Sequence, residues 1–228
     1  MTTLSAALLD EANLRSRWDR NDSVRKVEAY RRELLADTRS LSELPGGTGI
    51  YDQQLVSKAA QGSKGYINCL RLCQLAHDFG QPAVLELGTN LGISSAYLSI
   101  GASVAEASTP VATGDASPAR LSIAQRMHTT IGLKNLTYYP GYFTETLQQM
   151  LTDRPLLGLC FIDGDHTYKG TLEYFQIIRE HMKSGGVIIF DDITWSPEMR
   201  RVWADISASG PFSAELVVDG VGYLQIAS

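Results

Sequence analysis

Four aspartates and a histidine close two apolar runs of this sequence. In "CFIDGDHTYKG", Cys160 to Gly170, Asp163, Asp165 and His166 fall within four residues, and "GGVIIFDDITW" ends its apolar run on Asp191 and Asp192. If the two runs are neighbouring strands, Asp163, Asp191 and Asp192 come within several ångströms of one another, since paired strands lie about 4.8 Å apart. Three carboxylates so placed repel unless protons or a cation stand between them. Oxygen donors at that density suit a hard divalent ion, and magnesium would complete its octahedron with waters or substrate oxygens. The other reading is that one or two of these acids cap helices or bind a cofactor. His166 carries an imidazole suited to taking a hydroxyl proton near neutral pH; the alternative is a histidine hydrogen-bonded within its loop. Asp165 would either orient His166 or stand in solvent. His77, His128 and His181 fall on expected helices and read as surface or packing residues.

A second constellation lies upstream in "VLELGTNLGIS", with the spacing Glu86-x-Gly88-x-x-x-Gly92-x-Ser94. Glycines at a strand-to-helix turn let the backbone approach a ligand, and the helix N-terminus offers free N–H groups to an anion. The spacing is neither the Gly-x-Gly-x-x-Gly of dinucleotide sites nor a Gly-Lys-Ser/Thr phosphate loop. A carboxylate suits it as well as a phosphate, and Ser94 could add a hydroxyl. The next apolar run ends in "TGDASP". Asp115 there stands where doubly wound folds place the acid that accepts ribose hydroxyls. It could instead cap the following helix, a job Ser117 before Pro118 could also take.

These residues need a scaffold that brings them to one edge. After the helical pattern of Gly65 to Phe79, strand and helix patterns alternate: "AVLELG", Ile93–Ile100, "PVATGD", Pro118–Ile131, "NLTYYPG", Thr144–Leu151, "LGLCFID", Gly170–Met182, "GVIIFDD" and Pro197–Ser207. Two last strands, "AELVVD" and "GYLQIA", turn at Gly220. Five strand–helix units in a row predict an α/β, doubly wound, Rossmann-like sheet with right-handed crossovers. Ligands of such sheets sit beyond the carboxyl ends of the strands, which is where every group above falls. Residues 1–60 read as an N-terminal helical segment, a lid or packing element broken at "LPGGTGI", and residues 61–228 as the main domain.

Bulk properties narrow the field. The chain has 228 residues, is 44% hydrophobic and carries a net charge of −5, which argues against nucleic acid or an anionic membrane as partner. Three cysteines, Cys69, Cys73 and Cys160, form no disulfide framework and fit a reducing cytosol. A cytoplasmic protein is expected, since no secretory signal or long apolar span is legible.

"VLELGTNLGIS", "FIDGDHTYKGTLEYF" and "GGVIIFDDITWSPEMRRVW" together resemble class I S-adenosylmethionine-dependent methyltransferases of the catechol O-methyltransferase-like group, the methyltransferase-24 family among bacterial relatives. The resemblance spans about Ala83 to Ser228. It implies seven strands, with the antiparallel last strand inserted beside the fifth. It implies S-adenosylmethionine held by Glu86, Gly88, Asn90, Gly92 and Ser94 at the methionine end, by Asp115 at the ribose, and by Tyr142 or Phe143 stacked on the adenine. Relatives often carry an acid where this chain has Tyr142. Asp163, Asp191 and Asp192 match magnesium ligands, the third of which is often Asn in the family, and Asp163 also borders the cofactor. His166 matches the position of a lysine base, and with Asp163 makes up the expected catalytic pair. The implied reaction is methyl transfer to a hydroxyl of a small-molecule substrate, helped by magnesium or another divalent cation, in a chain whose family habit suggests a homodimer. Rival readings are a metal-independent methyltransferase using His166 on a sugar hydroxyl or a nitrogen, and a non-catalytic cofactor-binding module. A nicotinamide oxidoreductase is disfavoured by the glycine spacing and by the absence of a Tyr-x-x-x-Lys pair. Trp195, just past Asp192, is placed to line an acceptor pocket.

Overall fold

The computed structural model describes residues 4–47, 52–104 and 108–227; the end of the "LPGGTGI" break lies outside them. Three helices open the chain, α1 (Leu4–Leu9), α2 (Glu11–Trp18) and α3 (Asp22–Ala36), followed by a 3₁₀ turn and the short α4 (Val56–Gln61). Asp10 and Asn21 cap α2 and α3 by accepting the N–H groups of Asn13 and Val24. The alternating part follows: α5 (Tyr66–Phe79), β1 (Val84–Leu87), α6 (Ile93–Val104), β2 (Val111–Asp115), α7 (Pro118–Ile131), β3 (Leu136–Pro140), α8 (Phe143–Asp153), β4 (Leu157–Ile162), α9 (Tyr168–Arg179), β5 (Met182–Phe190), α10 (Pro197–Ser207), β6 (Phe212–Val218) and β7 (Val221–Ile226).

The strands form one seven-stranded sheet in the order β3-β2-β1-β4-β5-β7-β6. The first five strands pair in parallel, and β7 runs antiparallel between β5 and β6, as the resemblance implies. Two helices differ from their expected bounds. The helix expected over Gly170–Met182 runs Tyr168–Arg179, and Met182 already pairs with Leu157 as the first residue of β5. Apolar Met182 continues the helical pattern in sequence, but its burial belongs to the sheet. The helix expected to end at Ile100 continues to Val104, because Gly101 is tolerated where α6 passes close to Cys73.

Successive strand residues face opposite sides, and two cores follow. Leu85, Leu87, Cys160, Ile162, Ile188 and Phe190 pack under α8, α9 and α10. Val84, Val111, Leu159, Phe161, Val187 and Ile189 pack under α5 and α6, with Leu4 and Leu8 of α1 in the same core. A third core joins Leu14, Trp18, Val24, Val27 and Leu34 to α5, α6 and α7. The N-terminal helices are also tied by polar contacts: Trp18 Nε1 donates to Gln74 Oε1 at 2.9 Å, and Arg71, almost fully buried, donates to Leu8 O at 3.0 Å and pairs with Glu11 and Asp219. Each fully buried Leu, Val or Phe adds about 1.5–3 kcal/mol, so this segment is a structural part of the molecule.

Candidate active site

Register fixes the geometry of the sheet's carboxyl edge. Gly114, Leu87, Ile162 and Phe190 lie in one row across β2, β1, β4 and β5. The residues one step further are Asp115, Gly88, Asp163 and Asp191. The ladder continues to them: Gly88 N–H donates to Gly114 O, Asp163 N–H to Leu87 O and Asp191 N–H to Ile162 O, at 2.8–3.0 Å. By the period of two, the side chains of Asp115, Asp163 and Asp191 turn to the face carrying α5 and α6. A cavity of about 520 Å³ opens at this edge, lined by Gly88, Asn90, Asp115, Tyr142, Phe143, Asp163, Asp165, His166 and Asp192, together with Gly62, Arg120 and Tyr174.

In the glycine turn, Gly88 adopts a φ of +112°, and a Cβ there would stand 2.1 Å from the Asp163 carbonyl oxygen. Gly92 does not reach the cavity wall. A Cβ on it would strike Ala124 and His128, so the α6–α7 approach requires that glycine. His128, fully buried, is a packing residue as expected: Nε2 donates to Gly92 O and Nδ1 accepts from Tyr138 Oη, both at 2.7 Å, and burial holds its pKa down at about 4. Asp115 is fixed by two backbone donors, Asn90 N–H at 2.8 Å and Ser117 N–H at 2.9 Å. Burial pushes its carboxyl up against their pull. Ser117 takes the capping job by accepting Arg120 N–H, which leaves Asp115 to the cavity.

Glu86 and Ser94 lie behind the cavity wall, both buried. Thr113 Oγ1 donates to Glu86 Oε2 at 2.6 Å. Burial raises this carboxyl to about 7, and the hydroxyls of Ser94, Thr113 and Ser95 offset only part of that rise. The ordinary value is 4.5, so between pH 4.5 and 7 the native state binds more protons than the unfolded chain does. Stability from this group is therefore lost as pH rises through that window. Glu86→Gln is expected to raise the Tm at pH 8 by about 4–8 °C and to change it little at pH 5. Calorimetric scans of parent and variant at the two pH values check this, and equal shifts at both would contradict it.

At the end of β3, Tyr142 caps α8 and holds its ring 55% exposed on the rim, while Phe143 packs edge-to-face against Tyr174, with ring centroids 5.7 Å apart. After β4 the chain turns sharply, with Asp165 at φ 71° and His166 at φ 40°. Positive φ at two successive non-glycine residues costs energy and is typical of functional loops. The turn sets His166 Nε2 3.6 Å from Asp163 Oδ1. Asp165 does not orient His166 through any contact among the described residues; it accepts from Tyr174 Oη at 3.3 Å and faces Gly170 at the start of α9. His77 and His181 pack away from this edge, on Asp78 and on the Pro155 carbonyl. Trp195 is 76% exposed and outside the cavity, whereas Trp203 packs on Phe190.

Asp163, Asp191 and Asp192 do converge, with a partner that sequence reasoning missed. Lys64, two residues before α5, ion-pairs with Asp191 through Nζ and lies 3.5 Å from Asp192 Oδ1. Burial alone would lower the ammonium's pKa, but the charges of Asp191, Asp163 and Asp192 push it up. Burial, and then the neighbouring Asp191, raise the Asp163 carboxyl well above its usual range. As they stand, these residues do not fit a magnesium site: the carboxylates close on an ammonium, and among the described residues no group of three or more His, Cys, Asp or Glu side chains is arranged to hold a metal. No described helix is long and apolar enough to cross a membrane, and all three cysteines are free and buried.

Residues 85–193 match the family model Methyltransf_24, a methyltransferase domain. Uncharacterized protein R132 of Acanthamoeba polyphaga mimivirus is 33% identical over 70 residues, a stretch covering 27% of this chain and 32% of that protein. The chain thus matches about a third of that relative's length. Cofactor-bound Rv0187 from MTB superposes with a TM-score of 0.68 at 19% identity, over 99% of this chain and 98% of that one. The S-adenosylhomocysteine-bound Podospora anserina methyltransferase PaMTH1 gives 0.68 at 14% identity, over 95% and 93%. The O-methyltransferase TomG from Streptomyces achromogenes, in complex with S-adenosylmethionine, gives 0.66 at 16% identity, over 100% of both chains. These likenesses are of fold, and they include the N-terminal helices. The matched segment, residues 85–193, holds the glycine turn, Asp115, His166 and the three clustered aspartates, on a seven-stranded sheet shared with these solved structures.

Proposed function

We propose, with that match to a methyltransferase domain as the premise, that the protein transfers a methyl group from S-adenosylmethionine to a hydroxyl of a small molecule. The observation that carries this reading is the cavity at the strand ends, where a fixed carboxylate on β2, an aromatic rim after β3 and a histidine after β4 converge. Its volume of about 520 Å³ is within the range of small-molecule sites. The residues present suit the cofactor. Asp115, already held by two backbone donors, has lone pairs left for the ribose hydroxyls, and the close approach at Gly88 leaves the turn's backbone open to the methionine end. Tyr142 offers an exposed ring for the adenine.

When bound, S-adenosylmethionine supplies a methyl group already activated by its sulfonium. What remains for the chain is position and proton removal. His166, a third exposed to the cavity, takes the hydroxyl proton on its imidazole. Asp163 Oδ1 stands 3.6 Å from Nε2 on one side of the ring. Asn90 keeps the turn in place, since Nδ2 donates to Ala59 O and Oδ1 accepts from Arg120.

Calorimetric titration of S-adenosylhomocysteine, followed by a methyl-transfer assay over a panel of phenols, aliphatic alcohols and vicinal diols, tests the reading. Saturable binding with one site per chain and a methylated hydroxyl product is the expected result. No nucleoside binding would overturn the reading, and methylation confined to nitrogen acceptors would replace its acceptor class.

A further inference from the structure

Lys64 stands where the strand-end carboxylates would need a cation, and the chain is built to hold it there. The side chains of Asp163 and Asp191 face the α5 side of the sheet, and Lys64 is delivered to them from the N-terminus of α5. Its side chain is 16% exposed and that of Asp191 is 1%, so the pair is withdrawn from solvent. Its backbone is clamped as well: the Lys64 carbonyl accepts from Arg31 Nη1 at 2.7 Å and from Cys69 Sγ at 3.3 Å. Arg31 is held by Glu28 at 3.0 Å, and Glu28 accepts from Tyr97 Oη on α6 at 2.8 Å. The N-terminal helical segment thereby fixes a positive charge at the active-site edge.

We infer that Lys64 is the resident cation of this site, a positioning residue that takes the place of a divalent metal among Asp163, Asp191 and Asp192. Magnesium at those carboxylates would meet an ammonium of like charge, a juxtaposition that disfavours the metal. An ammonium also lacks the open coordination positions through which a metal grips two oxygens of one substrate. The acceptor therefore has no need of vicinal hydroxyls. This inference rests on the methyltransferase reading for its meaning in catalysis, but its geometry can be tested without an acceptor.

The test is Mn²⁺ binding by electron paramagnetic resonance, on EDTA-treated parent, Lys64→Met and Lys64→Arg, with and without S-adenosylhomocysteine. The parent and Lys64→Arg are expected to bind no Mn²⁺ at this site. Lys64→Met is expected to gain one, with affinity raised at least about tenfold, and to recover in Tm when Mn²⁺ is added. If Lys64→Met does not fold in EDTA, refolding yield with and without Mn²⁺ reads the same property. One Mn²⁺ per parent chain, lost in Asp191→Asn, would overturn the inference. So would a Lys64→Met protein that neither binds Mn²⁺ nor is stabilised by it. Failure of the nucleoside to bind would strike the methyltransferase reading instead and leave the Mn²⁺ comparison standing.

Discussion

His166→Ala is expected to lower the turnover of methyl transfer by about 10²–10⁴-fold while changing S-adenosylhomocysteine affinity by less than about threefold. The turn after β4 sets the imidazole on the cavity wall at the cost of two successive residues with positive φ. Among the described residues its charged neighbour is Asp163, at 3.6 Å from Nε2, so the ring's other edge is left to an acceptor. A group that removes a proton during reaction affects the chemical step and leaves the affinity for the nucleoside product almost unchanged. It also adds an acidic limb to the parent's pH–rate profile, and the variant should lack it. Single-turnover rates across pH, with calorimetric affinities for the same two proteins, separate the cases. Equal losses in rate and nucleoside affinity, with the pH profile unchanged in shape, would make His166 a structural residue of its loop.

The sheet was legible because its signals are local. Each of the first six strands ends where an apolar run meets Gly, Asp or Pro, and helices begin at caps such as Ser117, Thr167 or Ser196. Once the strands are parallel, Asp115, Asp163, His166, Asp191 and Asp192 must share an edge, and they do. The roles of Gly92 and Lys64 were not legible in the same way. Gly92 sits in a motif that reads as ligand-binding, yet what excludes a side chain there is Ala124 and His128 of α7, a contact no local pattern announces. Lys64 lies 128 residues from Asp192, in "GSKGY", a stretch with no periodicity. One physical signal did point to it. Three clustered carboxylates require a counter-charge, and parity places two of them, Asp163 and Asp191, toward the helix that precedes β1, so a basic residue at the start of that helix was a candidate alongside a metal. Met182 shows the opposite failure: a local pattern extended a helix that the pairing of β4 with β5 had already claimed.

Gly88→Ala is expected to lower the Tm by about 5–20 °C and to abolish measurable S-adenosylhomocysteine binding. Two costs add at this position. With φ at +112°, any L side chain is strained, at about 1–3 kcal/mol. The new methyl would also stand 2.1 Å from the Asp163 carbonyl oxygen and 2.8 Å from its carbonyl carbon. That neighbour is backbone held by the ladder to β1, so relief requires β1 and β4 to separate, and such overpacking costs about 1–3 kcal/mol more. The movement pushes Asp163 and the start of the His166 turn outward, which is why binding fails along with stability. Gly132→Ala supplies the control. Gly132 closes α7 in the left-handed conformation at φ +92°, and an added methyl there meets nothing within 4 Å among the described residues. It should therefore cost only the backbone term, about 1–2 kcal/mol, and leave nucleoside binding intact. If the two variants melt at the same temperature, the contact between Gly88 and Asp163 contributes nothing beyond conformation. If Gly88→Ala binds the nucleoside as the parent does, the close approach of β1 to β4 does not shape the site.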